Sequence, residues 1–241
     1  MLDGADVVGV WLGGLDGTTW WEQHADEPVL AASLMKVPVA MAATALDLEA
    51  EVVVHANFGS VVSGERFELD EGYDQDPDTW AELGGRQTLR ELRRRSIVFS
   101  GNLATNLVME QTGVAACSAV MPQVRRMISD QPATDAGIVN EASARQWGGL
   151  LCRVAGAHED VEAVMRGQRY RDGIPEGLPL GTLVANKTGW IDDHTHDMAI
   201  VRPEDGEPFA LVVLTRLAGV PTEEGNARIA EVAREAWERR R

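Results

Sequence analysis

The chain has 241 residues, 44% of them hydrophobic and 25% charged, and its 22 basic against 38 acidic side chains leave a net charge of −16. A chain of this length buries enough apolar surface to hold a pre-organised site. Its charge argues against nucleic acid or an anionic membrane surface as partner, because phosphate recognition needs a basic face, and favours a neutral or amphoteric small molecule.

Val7–Leu12 reads as a strand, Gly13–Gly17 as a turn and Thr18–Glu22 as a second strand, together a hairpin. From Ser33 the pattern changes to a helix that is apolar nearly all round, expected to run to about Glu49, with Pro38 tolerable in its first turns. Val52–Trp80 reads as short strands followed by an acidic excursion over the surface, with Tyr73 or Trp80 as an aromatic wall or simply as an anchor of the loop. Short helices follow at Thr88–Arg95, with Leu89 and Leu92 inward, and at Asn102–Gln111, with Leu103, Asn106 and Leu107 inward. Ser143–Ala155 is a further helix. Thr182–Thr188, Asp197–Arg202 and Phe209–Leu217 read as strands, the last two joined at Asp205-Gly206. Thr222–Arg240 is an amphipathic helix with Glu early and Arg late, matching the helix dipole.

This order predicts an α/β fold of the α+β type: one antiparallel sheet from the N- and C-terminal strands, flanked by helices, plus a helical half. A single domain over 1–241 is expected, its α/β part at about 1–32 and 178–241 and its helical part at about 33–177. No run of eighteen apolar residues is present, so no membrane span is expected. No basic, then apolar leader precedes Val7, so the chain as given reads as cytoplasmic, or as secreted or periplasmic if a leader has been removed. A monomer is the default expectation. Cys117 and Cys152 read as free thiols. No cofactor or metal site is expected: His194 and His196 would share a face of a strand, but without a third ligand nearby an exposed loop pair is the simpler reading.

Lysine usage singles out two positions. The chain has Lys36 and Lys187 against twenty arginines. An Arg-biased codon usage explains why Lys is rare but not where the two remain. A crowded Lys can lose its proton, which Arg cannot. Ser33 and Lys36 lie one helical turn apart, Ser33 at the helix start, which suits a hydroxyl nucleophile beside an amine base. An N-cap Ser followed by a solvated Lys is the bland alternative, and for Ser-x-x-Lys alone it is the commoner one. Ser100-Gly101-Asn102 forms a turn able to present a hydroxyl and an amide, or merely a helix start. Lys187-Thr188-Gly189 ends a predicted strand with a charge, a hydroxyl and room for close approach, or is a plain strand-to-turn junction. Co-occurrence in this order, with both lysines consumed, lifts all three.

Together, Ser33-x-x-Lys36, Ser100-x-Asn102 and Lys187-Thr188-Gly189 resemble the three motifs of class A β-lactamases and penicillin-binding proteins. The resemblance extends through Leu89–Leu107 and Asp197–Val201 and covers the chain from about Val7 to its end. It implies a serine hydrolase acting through an acyl-enzyme on a β-lactam or related amide or ester. Ser33 would be the acylated nucleophile, Lys36 its activator and Ser100 the proton shuttle to the leaving nitrogen. Asn102 would contact a substrate amide, Lys187 and Thr188 its carboxylate, and the amides of Ser33 and Trp190, beside Gly189, would form the oxyanion hole. Two departures stand out. Gly101 replaces the Asp that class A enzymes carry there, and the stretch between Met121 and Ser143 holds no Glu-x-x-Leu-Asn, leaving only Asp130, Asp135 and Glu141 as carboxylates. Acylation is therefore expected to outlast efficient deacylation. A weak or inactive family member that only binds ligand is the alternative.

Overall fold

The computed structural model describes residues 7–241, so the chain start read above for a leader lies outside the described residues. The chain divides into two compact units, one of residues up to 34 together with 141–241, the other of residues 35–140.

In the first unit, β1 (Val7–Gly14) and β2 (Thr19–Gln23) form the expected hairpin. Its turn is fixed by the Asp16 carboxylate, which accepts from the Thr18 amide at 2.8 Å and the Thr18 hydroxyl at 2.9 Å. A two-residue strand β3 (Val29–Leu30) leads into a 3₁₀ turn over Ala32–Met35.

The second unit opens with α1 (Lys36–Ala42) and a further 3₁₀ turn over Ala43–Ala45. The helix expected to reach Glu49 stops here: Leu46 is extended, and the Asp47 side chain accepts from the Glu49 amide, offering the backbone a local alternative to helix. Then come β4 (Glu51–Val53), β5 (Asn57–Gly59), β6 (Arg66–Glu68), α2 (Pro77–Ala81) and β7 (Arg86–Thr88), the strands pairing as β4 with β7 and β5 with β6. Helix α3 (Leu89–Val98) starts at a Thr88 cap whose hydroxyl accepts from the Glu91 amide. It is followed by α4 (Asn102–Thr112), α5 (Val114–Val120) and α6 (Gln131–Asp135). Helix α1 is buried among α3, α4 and α5, as its all-round apolar sequence requires.

Residues from 141 onward return to the first unit. Strand β8 (Glu141–Ala142) pairs with β3, and α7 (Ala144–Ala157) begins at a capping box between Ser143 and Gln146. Helices α8 (Glu159–Met165) and α9 (Ile174–Gly177) follow. Strands β9 (Leu183–Ile191), β10 (His194–Arg202) and β11 (Phe209–Arg216) complete an antiparallel sheet ordered β2-β1-β11-β10-β9. Helix α10 (Thr222–Arg239) lays Ile229, Ala233 and Ala236 on a core that includes Val10, Leu12, Phe209 and Leu211. The helical part does not extend to 177 as expected. The apolar face of α7, with Trp147, Leu150, Leu151 and Val154 buried, packs on β1 and β11, so 141–177 belongs with the sheet. Among the described residues, no helix is long and apolar enough to cross a membrane.

Candidate active site

In the second unit the structure brings Lys36, Ser100 and Asn102 together. Lys36 opens α1 fully buried. Its Nζ donates to the main-chain oxygen of Ser100, to Ser100 Oγ at 3.2 Å and to Asn102 Oδ1 at 2.7 Å. All three acceptors are formally neutral, so they solvate the amine without fixing its charge. Burial is the dominant influence and lowers the amine from its ordinary 10.5 to about 7, against the opposing pull of Asp74 and Asp76. Ser100, also fully buried, is held at φ 60, a left-handed conformation unfavourable for a side chain bearing a Cβ. That geometry turns both of its oxygens toward one amine. Asn102 Nδ2 donates to the Tyr73 carbonyl at 2.7 Å, which leaves its amide oriented by two partners.

The acidic excursion, read from sequence as a surface loop, supplies groups that the motifs did not reveal. Asp74 accepts from the amides of Asn102 and Leu103, each at 2.8 Å, and so caps α4 from outside, where Gly101 has no side chain to do so. Trp80 is buried and donates to the same carboxylate at 2.9 Å, so it anchors the loop and does not wall a cleft. Tyr73 is 76% exposed and remains the one of the two aromatics available to a ligand. The signal was present in the Asp-rich run, but the helix end it would reach could not be read from the run itself.

In the first unit, the 3₁₀ turn over Ala32–Met35 holds a half-buried Ser33, preceded by Ala32 at φ 43. The Ser33 amide lies against β9. A Cβ on Gly189 would stand 2.9 Å from the Ser33 nitrogen and 3.2 Å from that of Leu34, so a glycine is required there for this approach. Strand β9 is an edge of the sheet, so alternate backbone groups along Lys187–Trp190 face away from their one neighbour, β10. Lys187 is fully buried, its Nζ donating to the Thr188 carbonyl at 2.7 Å. Thr188 is 3% exposed, yet its hydroxyl makes no hydrogen bond. Trp190 is half-buried, with the Tyr170 ring edge-on at 4.9 Å.

His194 and His196 are not the loop pair expected. Both lie on β10, with ring centroids 5.7 Å apart. His196 is fully buried between two backbone groups: Nε2 donates to the Leu30 carbonyl at 2.9 Å and Nδ1 accepts from the Thr215 amide at 3.2 Å. Burial pulls it down to about 4, so it stays neutral and ties β10 to the segment three residues before Ser33. Asp197, next along the strand, is raised to about 7 by burial, against hydrogen bonds from Asn186 and the Ile174 amide and the charge of Lys187.

The loop before α7 holds no carboxylate poised as a base. Asp130 is fully buried and its oxygens accept from Ser60 Oγ at 2.6 Å and from the amides of Val61 and Ala133, each at 3.1 Å. Asp135 and Glu141 are exposed, the former bonded to Gln131. The loop is instead pinned by amides. Asn106 exchanges two hydrogen bonds with the Ile128 backbone, at 2.9 and 3.0 Å, and Asn140 accepts from the amides of Arg125 and Arg126.

A five-stranded antiparallel sheet with flanking helices is also the architecture of solved β-lactamases and of PBP-A. The profile of the "Beta-lactamase enzyme family" matches residues 2–239, and the chain belongs to that family. No curated protein sequence matches the chain. Solved structures share the fold. A β-lactamase from Burkholderia vietnamiensis is similar at TM-score 0.78 and 23% identity, over 97% of this chain and 90% of that one. A variant of the class A β-lactamase of the last common ancestor of Gram-negative bacteria is similar at TM-score 0.78 and 22% identity, over 96% and 93%. PBP-A is similar at TM-score 0.76 and 18% identity, over 98% and 90%. A mutant of PBP-A has been solved as an acyl-enzyme complex with penicillin G.

Proposed function

We propose that the protein is a serine hydrolase that is acylated on Ser33 by a β-lactam or a related amide or ester. The observation that carries this reading is the state of Lys36: fully buried, with its amine at about 7 and hydrogen-bonded to neutral oxygens only. An amine in that state is half deprotonated near neutral pH and can take the Ser33 hydroxyl proton. The i, i+3 spacing of Ser33 and Lys36 in the sequence supports pairing them in this way.

In the proposed acylation the Ser33 oxygen attacks the substrate carbonyl and its proton passes to Lys36. The negative charge that develops on the carbonyl oxygen is taken by the amides of Ser33 and Trp190. The carbonyl-to-nitrogen bond then breaks and the proton reaches the leaving nitrogen through the Ser100 hydroxyl, which Lys36 already contacts. The product is an ester on Ser33. Lys187 and Thr188 would bind the substrate carboxylate, and the unspent Thr188 hydroxyl supports that role, since a buried hydroxyl without a partner is costly. Asn102 would hold a substrate amide.

Hydrolysis of the ester needs a base for the attacking water. Asp130 is committed to three donors, and Asp135 and Glu141 lie on exposed surface, so we expect penicillin adducts to persist. Intact-mass measurement after exposure to benzylpenicillin or a fluorophosphonate tests both halves. The expected result is one adduct on the wild type, none on Ser33→Ala, and slow loss of the penicillin adduct. Absence of any adduct with either reagent would point to a protein that only binds its ligand, and rapid nitrocefin turnover would refute slow deacylation.

A further inference from the structure

Position 101 is where the second motif departs from the class it resembles, and its backbone does not ask for glycine. Gly101 sits at φ −62 and ψ 124, a conformation open to every residue. What excludes a side chain is occupied space. A Cβ on Gly101 would stand 3.0 Å from both Cβ and Oδ2 of Asp76 and 3.4 Å from its Cγ. The volume a side chain at 101 would fill is therefore already filled by a carboxylate that arrives from the residue before α2.

That carboxylate is built in. Asp76 is 2% exposed, and Thr79 Oγ1 donates to it at 2.5 Å. Arg95 grips both of its oxygens, through Nε at 2.8 Å and through Nη2. The main-chain carbonyl of the same Arg95 accepts from the Gly101 amide at 3.3 Å. One residue thus holds the carboxylate with its side chain and the motif's central residue with its backbone. On either side of Gly101, Ser100 and Asn102 are the groups that receive the Lys36 amine.

We propose that Asp76, locked by Arg95, does the work of a carboxylate at position 101: it is a positioning residue that fixes the Ser100-Gly101-Asn102 turn and sets a negative charge beside Lys36. The proposal rests on the acyl-enzyme reading for its kinetic consequence. The alternative is that Asp76 merely fills space. The two separate cleanly, because a relocated carboxylate is exchangeable and a filler is replaceable by any side chain.

The test compares wild type with Asp76→Ala, Gly101→Asp, the double variant Asp76→Ala/Gly101→Asp and the double variant Asp76→Ala/Gly101→Ala. The first measurement is the second-order rate constant for adduct formation with benzylpenicillin. Each single variant is expected to be slower on the order of 10- to 100-fold, as misplaced catalytic groups are. Moving the carboxylate should return the rate to within about tenfold of wild type, and the Ala/Ala variant should stay slow. The second measurement is titration of the Lys36 amine by NMR in protein labelled with carbon-13 at lysine Cε. Only two lysines contribute signals, and Lys36→Arg assigns them. The charged groups bearing on this amine are Asp74, Asp76 and the Arg95 paired with Asp76. Its midpoint, about 7 in the wild type, should fall in Asp76→Ala and in the Ala/Ala variant and return when the carboxylate is moved. The proposal is overturned if the Ala/Ala variant recovers as well as the relocated carboxylate, or if relocation restores neither the rate nor the midpoint. Should the wild type form no adduct, the acyl-enzyme reading fails, and the titration series still decides on Asp76 by itself.

Discussion

The two lysines occupy equally buried places and meet different partners. Lys36 in the second unit faces the oxygens of Ser100 and Asn102, none of them a carboxylate, and burial brings its amine to about 7. Lys187 in the first unit donates to the Thr188 carbonyl, and its charge acts on the fully buried Asp197 one strand away. Asp74 and Asp76 only oppose the fall of Lys36, and both are engaged by other donors, the α4 amides and Arg95. In the proposed reaction Lys36 exchanges a proton and Lys187 serves as a cation.

The sharpest way to break this contrast is Lys36→Arg. A guanidinium cannot accept the Ser33 proton, so acylation should fall by about a thousandfold or more. In the wild type the same rate should rise with pH through a midpoint of about 7, as the protonated amine that blocks proton acceptance disappears, falling about tenfold per unit below it. A flat profile between pH 5 and 9 would remove Lys36 as the base. Next in size is Gly189→Ala, whose new Cβ would meet the Ser33 nitrogen at 2.9 Å. Displacing the nucleophile should slow acylation by about 100-fold while far-UV circular dichroism stays unchanged. A wild-type rate in that variant would show that Ser33 need not abut β9.

Lys187→Arg keeps the charge, and it should be tolerated better than the change at Lys36. Full burial narrows that tolerance, because the larger guanidinium overpacks the strand. The variant should lose about 1–3 kcal/mol in urea unfolding and chiefly weaken substrate binding, raising the apparent dissociation constant for penicillin more than it lowers the limiting acylation rate. The last variant, His196→Ala, is expected to act on stability. It leaves the Leu30 carbonyl and the Thr215 amide without their partner, a loss of about 1–3 kcal/mol measurable as a lower denaturation midpoint. Stability unchanged within error would mean that the two backbone groups find other partners.

Much of the fold was legible. The β1–β2 hairpin, the three late strands and α4 each carry a local signature, whether turn residues, β-branched runs or inward positions spaced along one helix face. The helix read from Ser143 is α7, and the structure adds the capping box that starts it. What could not be read was which surface a helix buries. By sequence α7 groups with the helical half, because its neighbours in the chain are helices, yet its apolar face finds β1 and β11. The short helices α5, α6, α8 and α9 went unseen because four to seven residues carry too little periodicity. His196 misled for a related reason: a polar residue beside a turn reads as exposed until its two backbone partners, more than a hundred residues away and nineteen residues away respectively, are known.

The chain by itself determined the three motifs, their order and the family, because those depend on residue identity at fixed local spacing. It also determined that both surviving lysines lie within motifs. Tertiary structure decided the protonation of Lys36, the strained turn at Ser100 and the arrival of Asp74 and Asp76 beneath the second motif. Those properties come from water exclusion and from contacts between segments far apart in the chain, and a linear spacing records neither.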